Sequence, residues 1–160
     1  MKRQKGFSLI ELLIVVAIIL IIAAIAIPNF IRSRMAANEA SAVSSLRSVN
    51  TAEVAYFTTY PNQGYSAALS SLGGVAPCVV ATAAAACLVD DLLANASSAA
   101  TGKSGYFFTY VAGAAPATNY SVTGQPNNPG STGQRGFFTD QTAVIRYAVS
   151  GAASVGSSPL

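Results

Sequence analysis

Between residues 7 and 27 the chain reads "FSLIELLIVVAIILIIAAIAI", and only Ser8 and Glu11 interrupt the apolar residues. The run has no amphipathic stripe: it is apolar all round, which argues against a helix in a soluble core. As a helix, at about 1.5 Å per residue, it reaches roughly 30 Å, the thickness of a bilayer's hydrocarbon core. Its Ile and Val residues are mediocre helix formers in water. In lipid, however, the backbone must satisfy its own polar groups, and a helix is the only way for a single segment to do so. A secretory signal is the alternative, but its apolar region is usually about 7–15 residues and ends at small residues. Here the acid-free stretch 12–27 runs into "IPNFIRSR", which fits that cleavage pattern poorly.

Pro28 should kink or interrupt the helix. Beyond it the apolar spacing becomes one-sided. Ala42, Leu46, Val49, Glu53, Tyr56 and Tyr60 step by three and four, with Val43, Val54 and Phe57 beside them. That stripe is enough to dock a sheet, and it predicts one long helix over 7–60, stopped by Pro61 and Gly64. A loop follows, with a helical turn at 66–72 ended by Gly73 and Gly74, and then a short helix with Asp90 and Asp91 near its start. From residue 105 the period changes. "GYFFTYVAG" and "NYSVTGQ" read as a hairpin joined by "AAPAT", and "RGFFTD" with "AVIRYAVSG" as a second hairpin turning at Asp140-Gln141. "QPNNPGSTGQ" between them is a Pro/Gly loop, and "SGAASVGSSPL" reads as a polar, mobile tail. The fold class expected is α+β: a long N-terminal helix with an antiparallel sheet of about four strands, whose apolar face only the second half of that helix can cover.

Glu11 needs a reason. A carboxylate at the bilayer centre costs roughly 2.5–3.5 kcal/mol, less near an end. It lies close to the charged leader Lys2, Arg3 and Lys5. It is therefore either a tolerated interfacial acid or one that awaits a cation from another chain.

The stretch "KGFSLIELLIVVAIILIIAAIAIP" resembles the prepilin N-terminus of type IV pilins and type II secretion pseudopilins. A short basic leader, Gly6, Phe7, the apolar run, an acid at the fifth position after Gly, and Pro28 at the run's end all occur here. The resemblance covers residues 2 to 35, and implies the following. A prepilin peptidase/N-methyltransferase cuts between Gly6 and Phe7 and methylates the new Phe7 amine. The helix stays in the bacterial inner membrane, single-pass with its C-terminal domain periplasmic, until a pilus or secretion assembly platform extracts the subunit into a homopolymer. Glu11 then faces the Phe7 ammonium of a neighbouring subunit. Leu20 stands where many relatives carry Gly. The domains implied are a leader at 1–6, a transmembrane and assembly helix at 7–28 including Pro28, and a pilin-like globular domain at 29–160.

Charge changes the picture little. The chain's formal net charge is +3, but Lys2, Arg3 and Lys5 lie in the leader. What remains balances Arg32, Arg34, Arg47, Lys103, Arg135 and Arg146 against Glu11, Glu39, Glu53, Asp90, Asp91 and Asp140. A basic balance would hint at nucleic acid or anionic membranes; here it mostly records the leader, and no nucleic acid is expected as partner. Positive flanks stay cytoplasmic, yet Arg32 and Arg34 on the far side make that asymmetry weak.

Cys78 and Cys87 are the two cysteines, and there is no histidine. An oxidising compartment favours a disulfide closing the short loop between them. Two free buried thiols are the alternative, and two thiols are too few for structural zinc. Without histidine, Ser–His and Cys–His catalysis is excluded, and we expect no enzyme activity, cofactor or metal. "TGKSG" at 101–105 imitates the end of a phosphate-binding loop, but position 97 is Ser where the pattern needs Gly, so it reads as a turn. Calcium at Asp90, Asp91 and Asp140 would need 6–8 oxygens; a helix-start pair and a turn residue is the plainer reading. Asn95 and Asn119 match a short, common glycosylation pattern that means little outside a eukaryotic secretory pathway. The aromatics of the helix and strands read as core rather than as a stacking surface.

The function expected is a structural filament subunit of the pilus type. A type II secretion pseudopilin shares the same motif and is the alternative. A minor pilin that binds DNA or a surface ranks below both, because residues beyond the helix carry only Lys103, Arg135 and Arg146 as cations.

Overall fold

A computed structural model describes residues 7–74, 77–78 and 80–160. The leader expected at 1–6, with Gly6, lies outside the described residues. The chain divides into two compact units, Met1–Arg34 and Met35–Leu160.

Helix α1 spans Leu9–Thr59 and contains Pro28 without interruption. Of the two outcomes expected at Pro28, the break does not occur. A proline removes only one backbone hydrogen bond from the ladder, and the turns on either side keep theirs. Leu20 also lies within continuous helix. In the first unit nearly every described side chain is exposed, from Phe7 at 82% to Ile31 at 41%. Among the described residues, α1 is the one helix long and apolar enough to cross a membrane.

In the second unit, the predicted stripe is the buried face of α1. Ala42, Val43, Leu46, Val49, Ala52 and Tyr56 join the core. Their three- and four-residue spacing puts them over one another on one side of the helix. Val54 and Phe57 do not join it; they are 59% and 42% exposed, because the stripe is narrower than the sequence suggested. A 3-10 turn at Leu69–Leu72 replaces the fuller helical turn expected at 66–72. Helix α2 is a single turn, Asp91–Ala94, preceded by Asp90.

The sheet is an antiparallel meander in which every strand pairs with its sequence neighbours. β1 is Tyr106–Ala112, β2 Tyr120–Pro126, β3 Gly136–Asp140, β4 Arg146–Ala148 and β5 Ser158–Pro159. Both expected hairpins form, with Tyr110 opposite Val122 in the first and Phe137 opposite Tyr147 in the second. Alternation turns Tyr106 and Phe108 of β1, Tyr120 and Val122 of β2, and Phe137 of β3 onto the helix stripe, where all are buried. Each such side chain removed from water is worth about 1.5–3 kcal/mol.

Two sequence expectations need revision. The sheet has five strands rather than about four, and the tail is not loose: Ser158 pairs with Tyr147, Leu160 N–H donates to the Ile145 carbonyl at 2.9 Å, and Ala153 is buried. A two-residue edge strand of Ser and Pro carries no alternation to detect. "TGKSG" forms the expected turn. Ser104 and Gly105 both have positive φ, at 51° and 74°, and Lys103 and Tyr106 exchange backbone hydrogen bonds of 2.7 and 3.0 Å across it.

Candidate assembly site

The N-terminal end of α1 holds the residues expected to carry assembly. Phe7 is exposed and immediately precedes Ser8, whose backbone N–H donates to Oε2 of Glu11 at 2.9 Å. The Ser8 carbonyl in turn accepts the Leu12 N–H at 3.3 Å, the first rung of the helix. The first N–H groups of a helix lack intrahelical partners. In Ser8-Leu9-Ile10-Glu11 the acid three residues after the serine reaches back to fill one of those vacancies, half of a capping box. Glu11 also sits in the first turn, where the helix dipole favours an anion. The Ser-x-x-Glu spacing was legible in the sequence, and the cap is a role of Glu11 that the sequence reading missed. Its other oxygen, Oε1, receives no hydrogen bond from a described residue. Of the two residues expected to flank a cleavage site, Phe7 is described and Gly6 is not.

In the second unit, three polar groups on the buried face of α1 reach the loops and strands. Glu53 is fully buried; its carboxylate accepts from Ser66 N–H at 3.0 Å, Ser66 Oγ at 2.6 Å and Tyr110 Oη at 2.6 Å. Glu39 accepts from the backbone N–H of Gln134 at 2.9 Å and of Arg135 at 3.1 Å, and from Arg135 Nε at 2.7 Å. Burial pushes the Glu39 carboxyl up, but these donors outweigh it and hold it below the usual carboxylate range. Arg135 also lies 5.7 Å from the ring centres of both Phe137 and Tyr147. Asn50 takes the Tyr120 hydroxyl at 3.0 Å and donates to Thr139 at 2.9 Å. Burial raises the pKa of the Tyr106, Tyr110 and Tyr120 phenols, with Glu39 adding to it at Tyr106 and Glu53 at the other two.

Cys78 and Cys87 form a disulfide. Gly74 lies against it: a Cβ there would meet the two sulfurs at 2.7 and 2.8 Å, so that position has no room for a side chain.

The acids weighed as calcium ligands are dispersed. Asp90 pairs with Lys103 Nζ at 2.9 Å, Asp91 accepts from the Asn95 side chain, and Asp140 accepts from Thr142. No group of three or more acidic or cysteine ligands gathers among the described residues. Asn95 is exposed but engaged with Asp91, and Asn119 is exposed at the start of β2. Of the aromatics, Tyr56, Tyr106, Phe108 and Phe137 are fully buried, as a core reading requires.

A family model described as the prokaryotic N-terminal methylation motif matches residues 1–27. The chain is 50% identical over 56 residues to the type IV major pilin protein PilA of Myxococcus xanthus, covering 35% of this chain and 26% of that protein. It is 59% identical over 39 residues to the type IV wide pilus major component PilA4 of Thermus thermophilus, covering 24% of this chain and 30% of that one. A fimbrial protein of Pseudomonas aeruginosa is 54% identical over 52 residues, 32% of this chain and 34% of its own length. The chain thus aligns with roughly a quarter to a third of each relative's length. No solved structure matches at comparable stringency.

Proposed function

We propose, from an N-terminal segment of the type IV pilin family, that the chain is a structural subunit of a pilus-like filament, polymerising through its apolar helix after the leader is removed. The observation that carries this reading is the head of α1. An exposed apolar helix begins at Leu9, two residues after Phe7, and the one acid of its apolar segment, Glu11, uses one oxygen to cap its own helix while the other takes no hydrogen bond from a described residue.

Cleavage between Gly6 and Phe7 would turn the Phe7 nitrogen into an amine, subsequently methylated and positively charged. A carboxylate in an apolar environment is strongly disfavoured unless it is paired and hydrogen-bonded. Glu11 would hold the Ser8 N–H with Oε2 and an ammonium from the neighbouring subunit with Oε1. Such a pair need not add net stability; its better-supported use is to fix register, here the axial stagger of packed helices. Before assembly the segment at 7–27 would anchor the subunit in the inner membrane, with the second unit periplasmic. A prepilin peptidase/N-methyltransferase and an assembly platform are the partners this requires.

The names of the pilin relatives favour a pilus subunit over a type II secretion pseudopilin, which would build a short periplasmic pseudopilus from the same motif. A nucleic-acid-binding role has little support, since Lys103 and Arg135 are both engaged by carboxylates. Intact mass spectrometry of protein from native membranes tests the reading. A species beginning at Phe7 with one added methyl is expected, and an uncut chain in cells containing the peptidase would overturn it. Electron microscopy separates the pilus from the pseudopilus by the presence of long surface fibres.

A further inference from the structure

Arg32 and Arg34 have no role in the reading above. Both are exposed, about one and nearly two turns beyond Pro28, and within the first unit. The helical path from Glu11 to Arg32 is roughly 30 Å at about 1.5 Å per residue, which is the thickness of the hydrocarbon core. With Glu11 at one headgroup level, Arg32 and Arg34 reach the other. Phe30 and Ile31, 68% and 41% exposed, continue the apolar surface up to them.

Basic residues on that side work against the bias that keeps positive charge with the leader. An anion that meets them there would offset this. The chain's own carboxylates are poor candidates. Glu39 is held by Arg135, Glu53 by Ser66 and Tyr110, Asp90 by Lys103 and Asp140 by Thr142. Of the six acids, only Glu11 and Asp91 lack such engagement by a described residue beyond a local cap or amide. A second copy of this chain therefore brings few acids to pair with two guanidiniums. Their angular placement points the same way. At 3.6 residues per turn, positions two apart leave the helix about 200° from each other. One neighbouring protein covers one side of a helix, whereas a lipid headgroup layer surrounds it.

We propose that Arg32 and Arg34 form a collar that binds the phosphates of anionic phospholipid in the leaflet opposite the leader. The collar sets the depth of the helix in the membrane before assembly. Guanidinium suits this role because it stays charged, pairs with phosphate through two parallel N–H donors, and can extend its aliphatic stem along the apolar boundary. The proposal rests on the membrane-anchored reading above.

The test uses the full-length processed chain in nanodiscs holding equal phosphatidylglycerol and phosphatidylcholine, with retained lipids counted by native mass spectrometry. The wild-type chain should retain phosphatidylglycerol in preference. Arg32→Gln/Arg34→Gln should lose that preference by on the order of tenfold. Arg32→Lys/Arg34→Lys and the control Arg47→Gln should keep most of it. Retention of the two lipids in their mixing ratio, an unchanged preference in the double Gln variant, or displacement of the lipid by inorganic phosphate would each overturn the proposal. So would a double Gln variant that keeps the preference but yields fewer filaments, which would assign the arginines to subunit contacts. Carbonate extraction separates the two levels. A wild-type chain released by carbonate overturns the membrane anchoring and the collar together, while a retained chain without lipid preference overturns the collar alone.

Discussion

The Tyr110 hydroxyl donates a 2.6 Å hydrogen bond to Oε1 of Glu53, joining β1 to α1 across 57 residues of sequence. The Ser66 N–H and hydroxyl complete the set, so a carboxylate closed to solvent is held entirely by neutral donors. A buried acid in this position fixes one arrangement of helix, loop and strand, because any other leaves it desolvated and unpaired. Tyr110→Phe should cost about 1.5–3 kcal/mol, the worth of a hydrogen bond to a charged group. Glu53→Ala should cost more, since it orphans several donors at once. Denaturant unfolding of the full chain in detergent measures both. A coupling energy near zero in the Glu53→Gln/Tyr110→Phe double-mutant cycle would show that the two side chains act independently.

Glu39 predicts an acid limit to stability. Its folded pKa is held below the ordinary Glu value of about 4.3, so the folded state releases its proton more readily than the unfolded state. The resulting stabilisation is fully present above that ordinary value and is lost as pH falls through the lower, folded one. Thermal unfolding across about pH 3–6, a window set around the carboxylate range, should show this decline. Glu39→Gln should be less stable at neutral pH and should show a shallower decline. Identical slopes would remove Glu39 from the acid transition.

The buried phenols predict a limit on the other side. Tyr106, Tyr110 and Tyr120 have raised pKa values, chiefly through burial. The unfolded chain ionises its tyrosines near about pH 10 while the folded chain keeps these protonated. Stability is therefore intact below about pH 10 and falls as pH rises beyond it. Tyr120→Phe should flatten the alkaline fall in melting temperature, and an unchanged fall would count against its burial.

The disulfide closes a short loop, with a sequence separation of 9 between Cys78 and Cys87. In the chain-entropy model a loop of that size stabilises by somewhat under about 3 kcal/mol. Cys78→Ala/Cys87→Ala should lower the melting temperature by the corresponding amount and leave membrane association intact. Gly74→Val should disturb the same region through the sulfurs it would meet. If Gly74→Val melts like the wild type, the close approach is not a constraint.

Glu11→Gln bears on the filament. The amide can still accept the Ser8 N–H and cap the helix, but it carries no charge to meet an ammonium. The variant should remain carbonate-resistant in membranes and give few or no filaments by electron microscopy. Normal fibre yield would leave Glu11 with its capping role alone.

How much of this was legible depended on whether a feature was local. The capping pair at Ser8 and Glu11 lies within one turn of helix, and its spacing could be read directly. Ala42, Leu46, Val49 and Tyr56 declared themselves by period, as did the strands containing Phe108, Val122 and Phe137. Val54 and Phe57 show the limit: period places a residue near a stripe but does not say how wide the covering sheet is. The tail escapes a sequence reading because Ser158 and Pro159 have neither alternation nor β-propensity, and pairing with Tyr147 and Arg146 of β4 gives them their place.

The sequence by itself determined that residues 9–27 lie in an apolar helix, that the first turn of this helix carries one acid, and that an α+β unit follows. Hydrophobic period and length are short-range properties, and they act wherever the chain finds itself. Only the tertiary structure decided what the polar residues on the inner face of α1 are for. Glu39, Asn50 and Glu53 look alike in a sequence, as polar interruptions of an apolar stripe. Each is satisfied by donors or acceptors 13 to 96 residues away, at Ser66, Tyr110, Tyr120, Arg135 and Thr139. A buried polar group takes its meaning from its partner, and folding alone brings the two together.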